Sequence, residues 1–144
     1  MLTGSCLCGA IAYEVKELEP NMANCHCGMC RKFHGAAFAT FGEAKSENFR
    51  WTRGENFLKS YVASNGTTRR FCAVCGSSLS FSSSNDRGIY VEFSIATLDC
   101  NASTFPDAHI FVGYKANWYS IHDPLPQFYE GRDSQQLDNK VEKG

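Results

Sequence analysis

The chain has 144 residues, of which 43% are hydrophobic and 20% charged, and its formal charge is −1. Such a chain suits one ordinary globular domain, and without a basic block or an acidic run it excludes a nucleic-acid surface or a solvating tail. The opening MLTGSCLCGAIAYEV has neither the basic start nor the apolar core of a secretory signal, and no apolar run is long enough to span a membrane, so a cytoplasmic protein without membrane or nucleic-acid partners is expected.

In chain order the predicted elements are mostly strands. AIAYEV alternates, which puts Ile11, Tyr13 and Val15 on one face. A short helix fits either 28–34 or 43–48. AAFATF, NFLKSYVAS and TTRRF have the β-branched and aromatic content of strands. GIYVEFSIATL predicts a strand with Ile89, Val91, Phe93 and Ile95 on one face and Tyr90, Glu92 and Ser94 on the other. HIFVGYKANWYSI reads as a further strand or pair of strands. RGEN, SNGT, SSSNDRG and DPLP mark turns between these runs. The expected architecture is a mainly β single domain with short helical turns over residues 1–130, followed by a polar tail over 131–144 that is frayed from SQQLDNKVEKG onward. Most of the aromatic residues, Trp118 among them, are expected in the core.

Eight cysteines in a reducing compartment call for another explanation than disulfides. Seven fall in tight groups: Cys6 with Cys8; Cys25, Cys27 and Cys30; and Cys72 with Cys75. These spacings are those of zinc sites. Cys100 stands alone and reads as a small buried hydrophobe. Cys6 and Cys8, expected at the start of a strand and related as i and i+2, can turn both sulfurs to one ion. CAVCG at 72–76 is a knuckle whose Gly76 relieves the backbone after the second ligand. Together the two pairs make a closed four-thiolate zinc site, structural in character. Cys25, Cys27 and Cys30 then remain as a second, three-thiolate zinc site with one position for a small molecule, which makes two zinc ions per chain. A ribbon pairing of Cys27 and Cys30 with Cys72 and Cys75 satisfies the spacing as well. His26 alternates away from its flanking cysteines, so His34 is the better candidate for a fourth ligand or an acid–base group. His109 and Trp118 are further candidates for a cleft.

An open three-thiolate zinc suits the capture of another thiol, because a metal-bound thiol is deprotonated. A thiol substrate bearing carboxylates needs cations, and Arg31, Lys32, Arg69 and Arg70 are the candidates, with a solvated surface role as the plain alternative for each.

The order GSCLCGAIAYEV, CHCGMCRKFHGAAFATF, WTRGENFLKSYVAS, RRFCAVCGSSLSF, then LD and HIFVGYKANWYSI with LPQF, strongly resembles the glutathione-dependent formaldehyde-activating enzyme family, also called GFA/CENP-V. The resemblance runs from about Gly4 to Phe128. It implies a β-tent zinc-binding fold, a structural zinc on Cys6, Cys8, Cys72 and Cys75, and a catalytic zinc on Cys25, Cys27 and Cys30. The implied activity is a carbon–sulfur lyase reaction that reversibly joins glutathione and formaldehyde. Small-molecule partners are thus a thiol such as glutathione and an aldehyde, and a homodimer is compatible with the sequence. The wider family also contains non-catalytic, chromosome-associated members, so a zinc-bearing interaction module is the alternative reading. Methionine sulfoxide reduction, a third use of the fold, needs a reducing cysteine outside the metal sites, and Cys100 alone is available.

Overall fold

The structure, a computed structural model, describes residues 1–138. It is mainly β, with one α-helix among the described residues. These residues gather into two compact units: Met1–Pro20 with Phe41–Thr104, and Asn21–Thr40 with Phe105 onward.

The first unit holds two antiparallel sheets. In one, β1 (Leu2–Ser5) pairs with β2 (Ala12–Val15), which pairs with β5 (Phe49–Arg53). As the alternation predicts, Ile11, Tyr13 and Val15 are all buried. Tyr13 packs on Phe49, Trp51 and Phe93 at ring-centroid distances of 5.1, 5.9 and 5.5 Å. In the other sheet β4 (Ala39–Lys45) pairs through Phe41–Lys45 with β9 (Tyr90–Ser94), followed in spatial order by β8 (Ser78–Ser82), β7 (Thr68–Cys72) and β6 (Leu58–Val62). The turns fall where the sequence marks them. Gly54, Gly66 and Gly88 take positive φ at RGEN, SNGT and SSSNDRG.

The prediction for 88–98 holds only in part. Ile89 precedes the strand and is exposed, and Ile95 lies in a 3-10 turn. Phe93 and Ser94 are both buried, although they point to opposite faces. At the end of this strand, which is flanked by β4 and β8, burial does not alternate cleanly between core and solvent.

The second unit is built on β3 (Met22–Cys25), which pairs in parallel with β10 (Ala108–Ile110). Strand β10 also pairs in parallel with β11 (Gln127–Phe128), and β11 pairs antiparallel with β12 (Gln136–Leu137). Of the strand or pair of strands expected over 109–121, only His109 and Ile110 lie in a strand, at the end of β10. Phe111 adopts φ 56°, a left-handed conformation that ends the strand and opens a 3-10 turn at Val112–Tyr114. The polar segment after 130 is not wholly frayed, since β12 lies within it; residues 139–144 of that segment lie outside the described residues.

Helix α1 (Gly28–His34) is the short helix predicted at 28–34. Its N-cap is Cys27, whose Sγ accepts a hydrogen bond from the Cys30 backbone N–H at 3.3 Å. Gly35 closes it at φ 63°, donating its N–H to the Arg31 carbonyl at 2.8 Å.

Candidate metal centres

Two groups of thiols stand out among the described residues. Cys6, Cys8, Cys72 and Cys75 form one, in the first unit, and Cys25, Cys27 and Cys30 the other, in the second; within each, all Sγ atoms lie within 4.8 Å of one another. This grouping replaces the ribbon pairing that the spacing left open.

The four-thiol group is assembled by two turns. Cys6-Leu7-Cys8 lies in the turn between β1 and β2, after a strand rather than at the start of one. The Ile11 N–H donates to Cys6 Sγ at 3.3 Å, which folds that turn around the sulfur. In the CAVCG knuckle the Val74 and Cys75 N–H groups face Cys72 Sγ at 3.3 and 3.5 Å, and the Gly76 N–H reaches the Cys72 carbonyl at 2.8 Å. Gly76 has φ 80°, the conformation for which glycine was expected there. The sulfurs of Cys6 and Cys8 are 3.6 Å apart, and those of Cys8 and Cys72 3.9 Å. Four sulfurs at about 2.3 Å from a tetrahedral zinc are about 3.8 Å from one another. A disulfide needs about 2.05 Å. The donor set thus fits a soft, tetrahedral ion, and backbone N–H groups already face the sulfurs as they would face thiolates. The Ser77 hydroxyl and N–H push Cys75 down to about 5, towards the thiolate form.

In the three-thiol group Cys25 ends β3, Cys27 caps α1 and Cys30 sits in its first turn, so strand end and helix start bring the sulfurs together. Cys25 and Cys30 are buried and Cys27 is half-buried. The sulfur of Cys27, then that of Cys30, then burial hold the Cys25 thiol far above its usual range. Three crowded thiols cannot all ionise without a cation among them, so this donor set also fits a metal ion. His34 is not part of this sulfur group; it is half-buried at the end of α1.

The basic candidates separate. Arg31 donates from Nε to the His26 carbonyl at 3.4 Å and from Nη2 to the Tyr114 carbonyl at 3.3 Å, so it ties the cysteine loop to the 3-10 turn after β10. Lys32 is exposed on α1. Arg69 and Arg70 belong to the first unit, on β7. Arg69 is buried, with its guanidinium 5.2 Å from the centre of the Phe81 ring, and Arg70 donates to the Ser82 hydroxyl at 3.0 Å.

Two expectations are corrected. Cys100 is exposed rather than buried, with Sγ 3.7 Å from the Thr3 carbonyl. Trp118 is 70% exposed, in the irregular stretch that follows the Val112–Tyr114 turn.

His26 and His109 form a pair that no spacing or periodicity in the chain foretells. Both are fully buried, with His26 Nε2 2.8 Å from His109 Nδ1 and His109 Nε2 2.9 Å from Asp123 Oδ2. Burial, with His109 and Lys115 close by, pushes His26 down to about 4. Burial opposes it, yet the hydrogen bonds from His109 and the Leu125 N–H hold Asp123 below the usual carboxylate range. The parallel register that sets His109 beside Asn24 is a long-range pairing, and only the DPLP turn hinted at its outer end.

Comparison with known proteins agrees with this geometry. A protein of Schizosaccharomyces pombe described as an uncharacterized lyase is 29% identical over 125 residues, covering 87% of this chain and 88% of that protein. A crystal structure of a Rhodobacter sphaeroides protein superposes with a TM-score of 0.59 at 26% identity, covering 70% of this chain and 91% of the other. Residues 1–114, which include every cysteine of both sulfur groups, match the family described as glutathione-dependent formaldehyde-activating enzyme, and the chain belongs to that family.

Proposed function

We propose that the protein is a zinc-dependent carbon–sulfur lyase that makes and breaks the bond between a small thiol, such as glutathione, and an aldehyde carbon. The observation that carries this reading is the contrast between the two sulfur groups: four thiols in one and three in the other among the described residues. Four thiolates saturate a tetrahedral ion, whereas three leave a coordination position for a ligand from solution. Cys6, Cys8, Cys72 and Cys75 would hold the structural ion, and Cys25, Cys27 and Cys30 the catalytic one, two per chain. When bound, the second zinc supplies a place where an incoming thiol is held as its thiolate.

The reaction itself balances without an external oxidant. The thiol loses its proton, the sulfur lone pair forms the S–C bond, the carbonyl π pair moves to oxygen, and that oxygen takes up a proton. Cleavage is the reverse. The protein's residues contribute position: Cys27 fixes the start of α1, and Arg31 holds the cysteine loop. Lys32, exposed beside them, is the free cation closest in sequence for a substrate carboxylate. A cytoplasmic setting, where thiols stay reduced, suits both sulfur groups.

The test is exchange NMR of glutathione with formaldehyde on the zinc-loaded protein, with the spontaneous rate subtracted. Acceleration by the wild type and its loss in Cys27→Ser are expected. A wild-type protein that accelerates exchange with no small thiol overturns the proposal and leaves the non-catalytic interaction module.

A further inference from the structure

The four-thiol group draws its sulfurs from two separate turns, and one side chain touches both. Ser77 Oγ accepts the Leu7 N–H at 2.8 Å, across 70 residues of chain, and lies 3.2 Å from Cys75 Sγ. Leu7 is the residue between Cys6 and Cys8. Its side chain is 87% exposed, so this turn is held through its backbone rather than by packing of the leucine. Ser77 is itself placed by the knuckle. The Cys72 N–H donates to the Ser77 carbonyl at 3.1 Å, and Gly76, at φ 80°, makes the reversal just before it.

The direction of the contact with Cys75 follows from the contact with Leu7. A hydroxyl has one proton to give and two lone pairs to offer. The Leu7 N–H occupies a lone pair and leaves the proton free. A metal-bound thiol has lost its own proton, so in a loaded site the Ser77 O–H donates and the Cys75 sulfur accepts. Four thiolates around a divalent ion leave a double negative charge in excess, and each donor that faces a sulfur offsets part of it. Cys6 receives the Ile11 N–H, and Cys72 faces those of Val74 and Cys75, all from the sulfur's own stretch of chain. The Ser77 hydroxyl differs, because its second partner lies on the opposite turn.

We propose that Ser77 is a positioning residue for the metal at the four-thiol site: its hydroxyl takes the Leu7 N–H, gives its proton to the Cys75 sulfur, and so holds both cysteine turns in register for a single ion. This role rests on the reading of the four thiols as a metal site; the bond between Leu7 and Ser77 does not. The Cys8 N–H faces the Cys75 sulfur from the opposite turn as well, so loss of the hydroxyl weakens the site rather than abolishing it.

Cadmium NMR on the full chain, loaded with cadmium in place of zinc, tests the role, because four-thiolate and three-thiolate ions give separate resonances. Chelator competition is followed at each resonance, and hydrogen exchange is followed at the Leu7 amide. In Ser77→Ala the four-thiolate ion should be retained about 10-fold less well, with the three-thiolate ion unchanged and the Leu7 amide exchanging faster. Ser77→Thr, which keeps the hydroxyl, should restore both. Wild-type retention in Ser77→Ala overturns the proposal, and so does an equal loss in the two variants. Ser77 is half-buried and the change removes one oxygen, so Ser77→Ala should fold. If it does not, the wild-type Leu7 amide decides: exchange as free as in the unfolded chain overturns the proposal, and protection supports it. A chain that takes up no cadmium on these four cysteines overturns the metal reading and the positioning role together, and leaves the bond between the two turns standing.

Discussion

Cys8 Sγ and Cys72 Sγ lie 3.9 Å apart although 64 residues separate them in the chain. This one approach fastens the β1–β2 turn to the knuckle after β7. Cys6 and Cys72 also belong to a buried cluster with Ile11 and Leu79, so the four-thiol group and this part of the core are one construction.

Cys72→Ser should therefore unfold or gravely weaken the first unit. Apparent binding of a structural zinc is about 10–16 kcal/mol, against a net stability of about 5–15 kcal/mol for a whole domain. Metal content falling by one equivalent, with a large drop in the urea midpoint, is the expected result. Cys100→Ser, at an exposed position, should leave both unchanged.

Arg31→Lys should loosen the three-thiol site. A lysine offers one ammonium and cannot reproduce the two guanidinium bonds to the His26 and Tyr114 carbonyls. Competition with a chelator should show metal retention at that site weakened about 10-fold, within the range seen when outer contacts of a metal site are lost. A raised KM for thiol with metal retention intact would instead assign Arg31 to substrate carboxylates.

Gly54→Ala tests the turn between β5 and β6. Gly54 has φ 70°, and a Cβ there would lie 1.9 Å from the Ala10 carbonyl oxygen, an atom of the backbone. The left-handed conformation alone costs about 1–2 kcal/mol for alanine, and the collision adds to it, so a loss above about 2 kcal/mol in urea unfolding is expected. Gly88→Ala is the control: φ is 80° with nothing within 4 Å of the added carbon, so the conformational cost stands alone.

Glu92→Gln should alter the pH dependence of stability. Burial, then Glu43 directly opposite across β4 and β9, then Asp86 push Glu92 from 4.5 up to about 7, with Arg69 opposing. The folded state thus binds a proton that the unfolded state releases at lower pH. This contribution is fully present below about pH 4.5 and is lost as pH rises through about 7. At about 1.36 kcal/mol per pKa unit it amounts to roughly 3 kcal/mol at most. The glutamine variant should gain on the wild type across that window and remain the more stable at pH 8. Taking the difference between the two proteins cancels the shared titration of the thiols.

What could be read along the chain was local. The i, i+2 and i, i+3 cysteine spacings identified the seven candidate ligands and their local pairs, because ligands within one turn are brought together by the turn itself. The alternation of Ile11, Tyr13 and Val15, and the glycines at 54, 66 and 88, follow from side-chain period and backbone sterics. Expectations failed where a distant partner decided the outcome. Phe111 leaves the strand because the chain turns there to place its N–H on the Glu130 carbonyl. Trp118 lies in irregular chain after the Val112–Tyr114 turn and is exposed.

The sequence by itself determined which neighbouring thiols can share an ion, since reach within a turn is set by bond geometry. Tertiary structure alone decided that Cys6 and Cys8 meet Cys72 and Cys75, and that His26, turned away from its neighbouring cysteines in the pattern, meets His109 and through it Asp123. Pairing across 64 or 83 residues is a choice among many registers of similar local energy. Only the folded core, by burying some of them and not others, selects one.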